Sequence, residues 1–213
     1  LQYRLDGINI DFENISLDAG EPFVEFIREL SIPCRQNGIV LSVDNYVPMG
    51  YTDHYDREEQ GIVADYVIIM GYDEHHKNSE TAGSVASIDF VENGIANTVA
   101  QVPAHKVINA IPLYTRIWET KGTSVSSQAV GIGTAKQYIA DHGIVTAWDE
   151  TTCQNYGEYQ SGDSYYQIWM EDEESIRVKL NIMSKYGIAG VAEWQLAFAT
   201  DSVWDVIAEY MNQ

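Results

Sequence analysis

The chain has 213 residues, 45% of them hydrophobic, and carries a net charge of −20 from 32 acidic and 12 basic residues. This size and apolar content suit one domain, or a core with one insertion, and exclude a disordered chain. The negative charge repels phosphate backbones and anionic lipid heads, so nucleic acid and membrane surfaces are excluded as partners, whereas a neutral sugar polymer tolerates it.

The sequence also argues against membrane helices and metal sites. No stretch approaches the roughly 18 to 20 consecutive apolar residues of a membrane helix, so we expect none. Cys34 and Cys153 lack metal-ligand spacing, and Cys34 falls in an apolar helical stretch that predicts a buried free thiol. His75 and His76 are adjacent but lack a clear third ligand, so we expect no metal and no cofactor.

Strands and helices alternate along most of the chain. Residues 5–13 alternate apolar and polar side chains, which predicts a strand with Asn9, Asp11 and Glu13 on one face. A helix with an apolar stripe follows and ends at Gly38. The later predicted elements are strands at 39–43 and 64–70 with a loop at 48–60 between them, a helix at 88–101, a strand at 106–114, a helix at 174–186, a strand at 190–195 and a helix capped by Ser202. This order predicts an α/β fold with a parallel sheet, either a barrel or a doubly wound sheet.

Residues 118–172 interrupt this alternation. They contain a predicted short helix at 134–142 and strand-like pieces at 144–148, 151–160 and 165–170. We interpret the segment as a small α+β insertion after the fourth predicted strand. The predicted domain organisation is therefore a sheet-and-helix core from residues 1–117 and 173–213, interrupted by the insertion.

The first predicted strand ends in two closely spaced carboxyl groups. Asp11 and Glu13 point the same way from successive layers of the strand. Two carboxyl groups this close repel each other when both are ionised, which favours one of them keeping a proton, as a general acid for glycosidic cleavage requires. An acidic strand end that caps a neighbouring helix fits the spacing equally well, so the pattern alone leaves both interpretations open.

Residues 6–13 resemble the signature of family 18 glycoside hydrolases, aspartate-x-x-aspartate-x-aspartate-x-glutamate, which lies on the fourth strand of a (β/α)8 barrel. Asp6, Asp11 and Glu13 match it, and Asn9 stands where the commonest pattern has aspartate. This form of the signature, with asparagine at position 9, resembles that of the bacterial branch that contains spore-cortex and cell-wall N-acetylglucosaminidases.

Further segments resemble the later motifs of the same family, in the right order. They are Met70-Gly71-Tyr72-Asp73 for the sixth strand, Ile111–Arg116 for the seventh, Gly190–Leu196 for the eighth, and 118–172 for the insertion domain after strand seven. The resemblance implies a (β/α)8-type fold of which only strands 4–8 are present, the core residues 1–117 holding strands 4–7 and residues 173–213 the last two helices and strand 8.

The resemblance also implies a mechanism, substrate-assisted retention. Glu13 protonates the leaving glycosidic oxygen and later activates water. The substrate's own 2-acetamido carbonyl attacks the anomeric carbon, and Asp11 holds the acetamido N–H. Tyr72 assists as a third catalytic residue.

Other residues are implied as substrate contacts. Asn9 and Met70 lie within the matched motifs, Asp73 hydrogen-bonds the sugar and Trp194 floors the sugar site. Tyr114 and Arg116 line the cleft. The plain alternatives are that Tyr72 and Trp194 are ordinary core residues and that Arg116 is a structural ion-pair partner.

The implied partner is an N-acetylated polysaccharide, either peptidoglycan or chitin, cleaved at β-1,4 linkages. The missing barrel strands are expected from an upstream segment or a second chain, and the isolated chain is then inactive. The alternative is a non-catalytic glycan-binding protein on the same scaffold, although Glu13 favours the enzyme. The branch resemblance implies a secreted protein of the bacterial cell wall or spore.

Overall fold

The computed structural model describes residues 3–212. In chain order, its strands and helices are β1 (Gly7–Ile10), α1 (Gly20–Gln36), β2 (Val40–Tyr46), α2 (Arg57–Val63), β3 (Tyr66–Met70), α3 (Ile88–Val99), β4 (Val107–Pro112), β5 (Tyr114–Lys121), β6 (Ser124–Gly131), α4 (Ile132–His142), β7 (Thr146–Asp149), β8 (Gln154–Ser161), β9 (Ser164–Met170), α5 (Glu173–Tyr186), β10 (Gly190–Trp194) and α6 (Asp201–Met211). Short 3-10 helices lie at Leu17–Ala19, Gly50–Tyr55, Ala104–Lys106 and Leu196–Phe198.

The described strands form two five-stranded sheets. The first has the order β1-β2-β3-β4-β10, and the neighbours from β1 to β4 pair in parallel. The second has the order β6-β5-β9-β8-β7 and is antiparallel. Helices between parallel strands are the usual crossover connection, so the first sheet explains why strands and helices alternate in the sequence.

The chain divides into two compact units. The first comprises the chain up to Met70, Asn93–Ala110 and Met183–Ala192, and the second comprises Gly71–Glu92, Ile111–Ile182 and the residues from Glu193 onward.

In the first unit, α1 packs on one face of β2. Phe23 and Ile27 of α1 join Leu41 and Val43 of β2 in a buried apolar cluster, and Ile10 of β1 packs against it. Side chains alternate along a strand, so residues between these positions face the other way. Asn9 of β1 and Ser42 and Asp44 of β2 therefore lie on the face that α1 does not cover, whereas Asn45 is buried and donates to Gln60.

In the second unit, α4 covers the antiparallel sheet. Val130, Ala135, Ile168 and Met170 form its buried cluster. Trp118 of β5 is 1% exposed, and its indole N–H donates to the carbonyl of Gly83 at 2.8 Å.

Several predicted elements need correction. β1 ends at Ile10, so Asp11 and Glu13 follow the strand instead of lying in it. The predicted loop at 48–60 contains the 3-10 turn Gly50–Tyr55 and most of α2. The predicted strand at 106–114 is split by Leu113 into β4 and β5. The last helix begins at Asp201, so Ser202 is not its cap; its hydroxyl donates to Glu173.

Other predictions agree with the structure. Cys34 is a buried free thiol, and Cys153 is also free. The helices predicted at 88–101, 134–142 and 174–186 form as α3, α4 and α5. As a separate observation, no helix within residues 3–212 is both long and apolar enough to cross a membrane. The domain boundaries at 117/118 and 172/173 stay predictions.

Candidate active site

The first group of predicted site residues lies where β1 and β2 end. Asn9 pairs with Ser42 in the parallel register of these strands. Because side chains alternate, Ser42, Asp44 and Tyr46 of β2 share the face of Asn9. We call Asn9, Asp11, Glu13, Ser42, Asp44 and Tyr46 the carboxylate cluster. In α/β barrels, this carboxyl edge of the strands carries the active site.

Hydrogen bonds link the cluster across the two strands. The Ser42 hydroxyl donates to Asn9 Oδ1 at 2.7 Å, and Asn9 Nδ2 donates to Asp44 Oδ2 at 3.0 Å. The Tyr46 hydroxyl donates to Glu13 Oε2 at 2.9 Å. Asn9 is thus held by both of its polar atoms, and Tyr46 fixes one oxygen of an otherwise exposed Glu13 carboxylate.

The backbone that follows Glu13 is held by residues from β2 and the turn after it. Asn14 has a φ of +56°, a left-handed conformation that asparagine tolerates better than most residues. Its N–H donates to the Tyr46 hydroxyl at 3.3 Å, and the N–H of Ile15 donates to the Tyr55 hydroxyl at 3.2 Å. The position of Glu13 therefore depends on the tyrosines of the neighbouring segment.

The electrostatics of the carboxylate cluster centre on Asp44. Burial raises the pKa of Asp44 to about 6, the hydrogen bond from Asn9 opposes the rise, and the charges of Asp11 and Glu13 add to it. Burial, followed by the bond to Glu13, raises the pKa of Tyr46 to about 12. Tyr46 is therefore a neutral hydrogen-bond donor at any physiological pH.

Asp44 is a site residue that the sequence analysis missed. The predicted second strand stopped at Val43, whereas β2 continues to Tyr46. The alternation Ser42, Asp44, Tyr46 beyond that point is the signal that could have found it.

The second group of predicted site residues forms an aromatic cluster in the second unit. The rings of Tyr114 and Trp194 lie 5.4 Å apart at 78°, and those of Tyr72 and Trp194 lie 6.2 Å apart at 34°. Phe198 packs on Trp194 at 5.9 Å. Trp194 is 44% exposed although its neighbours hold it, so part of its ring is available to a ligand. The peptide bond between Trp194 and Gln195 is cis.

Asp73 is positioned beside this cluster by two predicted site residues. The Tyr114 hydroxyl donates to Asp73 Oδ1 at 2.5 Å, and Arg116 Nη2 lies 3.8 Å from the same oxygen. Burial and then the Asp73 charge raise the pKa of Tyr114, so it stays protonated. Arg116 also donates to the Ser127 hydroxyl at 3.1 Å. These contacts make Arg116 an ion-pair partner of Asp73, which was one of its two predicted roles.

Met70 differs from the other predicted contacts because it is buried. It ends β3 and pairs with Tyr46 of β2. The residue is 8% exposed. Within residues 3–212, no group of three or more histidine, cysteine or acidic side chains could hold a metal ion.

The model of the family described as Glycosyl hydrolases family 18 matches residues 1–199. The chain belongs to glycosyl hydrolase family 18. This confirms the resemblance that the motifs at residues 6–13, 70–73, 111–116 and 190–196 carried. The match covers nearly the whole chain, so it includes both groups of candidate site residues.

Named relatives add detail to the family assignment. "Putative sporulation-specific glycosylase YdhD" of Bacillus subtilis (strain 168) is 32% identical over 93% of this chain and 49% of that protein. The cortical fragment-lytic enzyme of Bacillus subtilis (strain 168) is 22% identical over 99% of this chain and 51% of that protein. The chain therefore spans about half the length of these curated relatives.

A solved structure supports the fold. The crystal structure of a chitinase from Chromobacterium violaceum ATCC 12472 matches with a TM-score of 0.91 at 27% identity, covering 100% of this chain and 68% of that chain. The likeness confirms the predicted α/β class and the barrel-type sheet of the family. Which numbered barrel strands the chain supplies stays a prediction.

Proposed function

We propose that the complete protein is a retaining glycoside hydrolase that cleaves β-1,4-linked glycans containing N-acetylglucosamine by substrate-assisted catalysis. The observation that carries this proposal is the exposed Glu13 carboxylate, fixed by Tyr46 at the carboxyl edge of a parallel sheet in a family 18 chain. A catalytic acid must be both positioned and accessible to a ligand, and Glu13 meets both requirements.

In this mechanism Glu13 protonates the glycosidic oxygen as the bond to the anomeric carbon breaks. The substrate's 2-acetamido carbonyl attacks that carbon and gives an oxazolinium-like intermediate. Asp11 binds the acetamido N–H and stabilises the positive charge that develops there. Glu13, now ionised, removes a proton from the incoming water, which opens the intermediate with net retention of configuration.

The aromatic cluster supplies sugar contacts in this proposal. Trp194 offers a partly exposed ring under the sugar, and Tyr72 assists around the acetamido group. Asp73 is held by Tyr114 and Arg116 and accepts hydrogen bonds from sugar hydroxyls. Asn9 and Met70 act indirectly, since Asn9 is engaged by Ser42 and Asp44 and Met70 is buried.

The substrate class follows from the chemistry and from the relatives. Only a sugar with a 2-acetamido group can assist its own cleavage, and both chitin and peptidoglycan carry one. Two relatives are named as a sporulation-specific glycosylase and a cortical fragment-lytic enzyme, which favours peptidoglycan of the bacterial cell wall or spore. We therefore propose that the complete protein is secreted and acts there.

The anomeric form of the first product tests the proposal. The complete protein is incubated with N-acetylglucosamine oligomers and, separately, with peptidoglycan glycan strands, and proton NMR records the new reducing ends before mutarotation. We expect the β-anomer of N-acetylglucosamine, because the acetamido group and then water attack the anomeric carbon from opposite faces.

The matched control is a de-N-acetylated glucosamine oligomer of the same length, which lacks the assisting carbonyl and is expected not to turn over. Initial formation of the α-anomer, or equal cleavage of the control oligomer, contradicts the mechanism. Binding without any turnover by the complete protein identifies a glycan-binding protein instead.

A further inference from the structure

The carboxylate cluster contains a third carboxyl group that comes from β2 instead of from the family signature. Asp44 Oδ2 accepts the hydrogen bond from Asn9 Nδ2 at 3.0 Å. Its other oxygen, Oδ1, is buried and has no hydrogen-bond partner among the described residues. A buried polar atom without a partner is costly unless it serves a role or the group is neutral.

The groups around Asp44 are mostly acidic or uncharged. From the β1 side it faces the Asn9 amide and the charges of Asp11 and Glu13. On its own strand it is flanked by Ser42 and Tyr46. On the β3 side, Asp44 pairs with Ile68. Ser42, two residues earlier on β2, pairs with Tyr66.

The charge of Asp44 is therefore stabilised poorly. No ion pair between described residues includes Asp44. The Asn9 amide is the group that favours its ionised form, while burial and the neighbouring carboxylates oppose it. The pKa of about 6 that results makes its charge change within the range in which a hydrolase works.

In this chain, an amide on β1 (Asn9) lies beside a carboxyl group on the neighbouring strand β2 (Asp44). The commonest family signature has a carboxyl group at position 9 of β1, where this chain has an amide. We propose that Asp44 is a positioning residue that restores the third carboxyl group of the cluster from β2, held there by Asn9. The expected effect on turnover rests on the proposed hydrolase function, whereas the electrostatic coupling within the carboxylate cluster does not depend on that function.

The consequence for catalysis is a pH dependence. Above about pH 6, ionised Asp44 adds a negative charge near Asp11 and Glu13. A nearby negative charge favours the protonated form of a carboxyl group, so it extends the pH range over which a general acid can work. Loss of this charge is expected to move the alkaline limb of the kcat/KM profile to lower pH.

Asp44→Asn in the complete protein tests this directly. Asparagine still offers an oxygen to Asn9 Nδ2 but carries no charge. We expect kcat/KM for an N-acetylglucosamine oligomer to fall about tenfold above pH 6, with the alkaline limb shifted and KM nearly unchanged. The double variant Asn9→Asp with Asp44→Asn returns a carboxyl group to β1, and we expect it to recover the limb and most of the rate.

The matched control is Glu58→Gln, which removes an exposed carboxylate from α2. It is expected to leave both limbs unchanged. If Asp44→Asn lowers the melting temperature but leaves the profile in place, Asp44 is only structural and the inference is wrong. If both variants are folded but the double variant does not return the alkaline limb to the pH seen in the unmodified protein, the inference is also wrong.

A carboxyl-carbon NMR titration of the unmodified protein gives a test that does not depend on activity or on folding of the variants. We expect Asp44 to titrate near pH 6 and to shift downward in Asp11→Asn. Titration near pH 4, insensitive to Asp11→Asn, overturns the inference whatever the activity. A third outcome is that the protein shows no turnover while Asp44 titrates near pH 6 and its pKa falls in Asp11→Asn. That outcome overturns the hydrolase function but supports the electrostatic coupling within the carboxylate cluster.

Discussion

Glu13→Gln in the complete protein is expected to reduce kcat on N-acetylglucosamine oligomers by about 10²- to 10⁴-fold, with KM changed little. Glutamine keeps the shape of the side chain, and its amide oxygen can still accept the hydrogen bond that Tyr46 donates to Glu13. It cannot transfer a proton to the leaving oxygen. Steady-state kinetics at several pH values measure the loss.

The control for this substitution is Glu29→Gln, which neutralises an exposed glutamate on α1. It is expected to retain the unmodified rate. A Glu13→Gln protein that keeps more than a tenth of the activity, with the control unchanged, assigns proton donation to another residue. Loss of binding as well as turnover points instead to a role of Glu13 in holding the substrate.

Lys179→Met is expected to lower the free energy of unfolding by about 3–5 kcal/mol. Glu171 and Lys179 are both buried, at 0% and 1% side-chain exposure, and Lys179 Nζ lies 2.9 Å and 3.0 Å from the two carboxylate oxygens. The hydroxyl of Ser175 and the amide of Gln154 complete the hydrogen bonds of Glu171. Removing the ammonium group leaves a buried carboxyl group without its cation.

The pH dependence of this loss follows from the titration of Glu171. Burial already raises the pKa of Glu171, and Lys179 opposes the rise. Without Lys179 the pKa of folded Glu171 rises further, while that of the unfolded chain stays ordinary. Above the unfolded pKa, the folded state then binds more protons than the unfolded state, so stability falls as pH rises. Urea denaturation should show a larger loss at pH 8 than at pH 5.

The matched control is Lys136→Met, which breaks an ion pair with Glu173 in which the two side chains are 42% and 29% exposed. Exposed pairs contribute about 0–1 kcal/mol, so its effect should be several times smaller. Adding Glu171→Gln to Lys179→Met is expected to recover part of the stability, because a neutral amide costs less to bury. Equal losses for the buried and exposed pairs, or no difference between the two pH values, contradict this account.

Local patterns predicted most of the helices and strands but missed one hairpin. Residues 118–131 gave no strand signal because β6, Ser124–Gly131, is mostly polar and exposed along its first half. Its conformation depends on pairing with β5, where Lys121 lies opposite Ser124 across a turn that contains Gly122 at φ +60°. A glycine between two alternating segments was the available signal.

The candidate site was predictable in part for a similar reason. The period-two pattern of residues 5–13 found Asn9, Asp11 and Glu13 because they are close in sequence, although Asp11 and Glu13 follow β1 instead of lying in it. Alternation along β2 could have placed Asp44 on the face of Ser42, but its contact with Asn9 depends on the register between β1 and β2, which a local pattern does not contain. The contact of Tyr72, Tyr114 and Trp194 joins three distant segments, and only the family resemblance grouped them.

The central claim is that the Glu13 carboxyl group reaches the bond that is cleaved. A crystal structure of the complete protein carrying Glu13→Gln, soaked with an intact N-acetylglucosamine oligomer, tests it most directly. We expect the glycosidic oxygen between two sugars to lie about 2.6–3.2 Å from the side chain of residue 13. A well-ordered oligomer bound at another place on the protein, with no sugar oxygen within hydrogen-bond distance of residue 13, would contradict the claim.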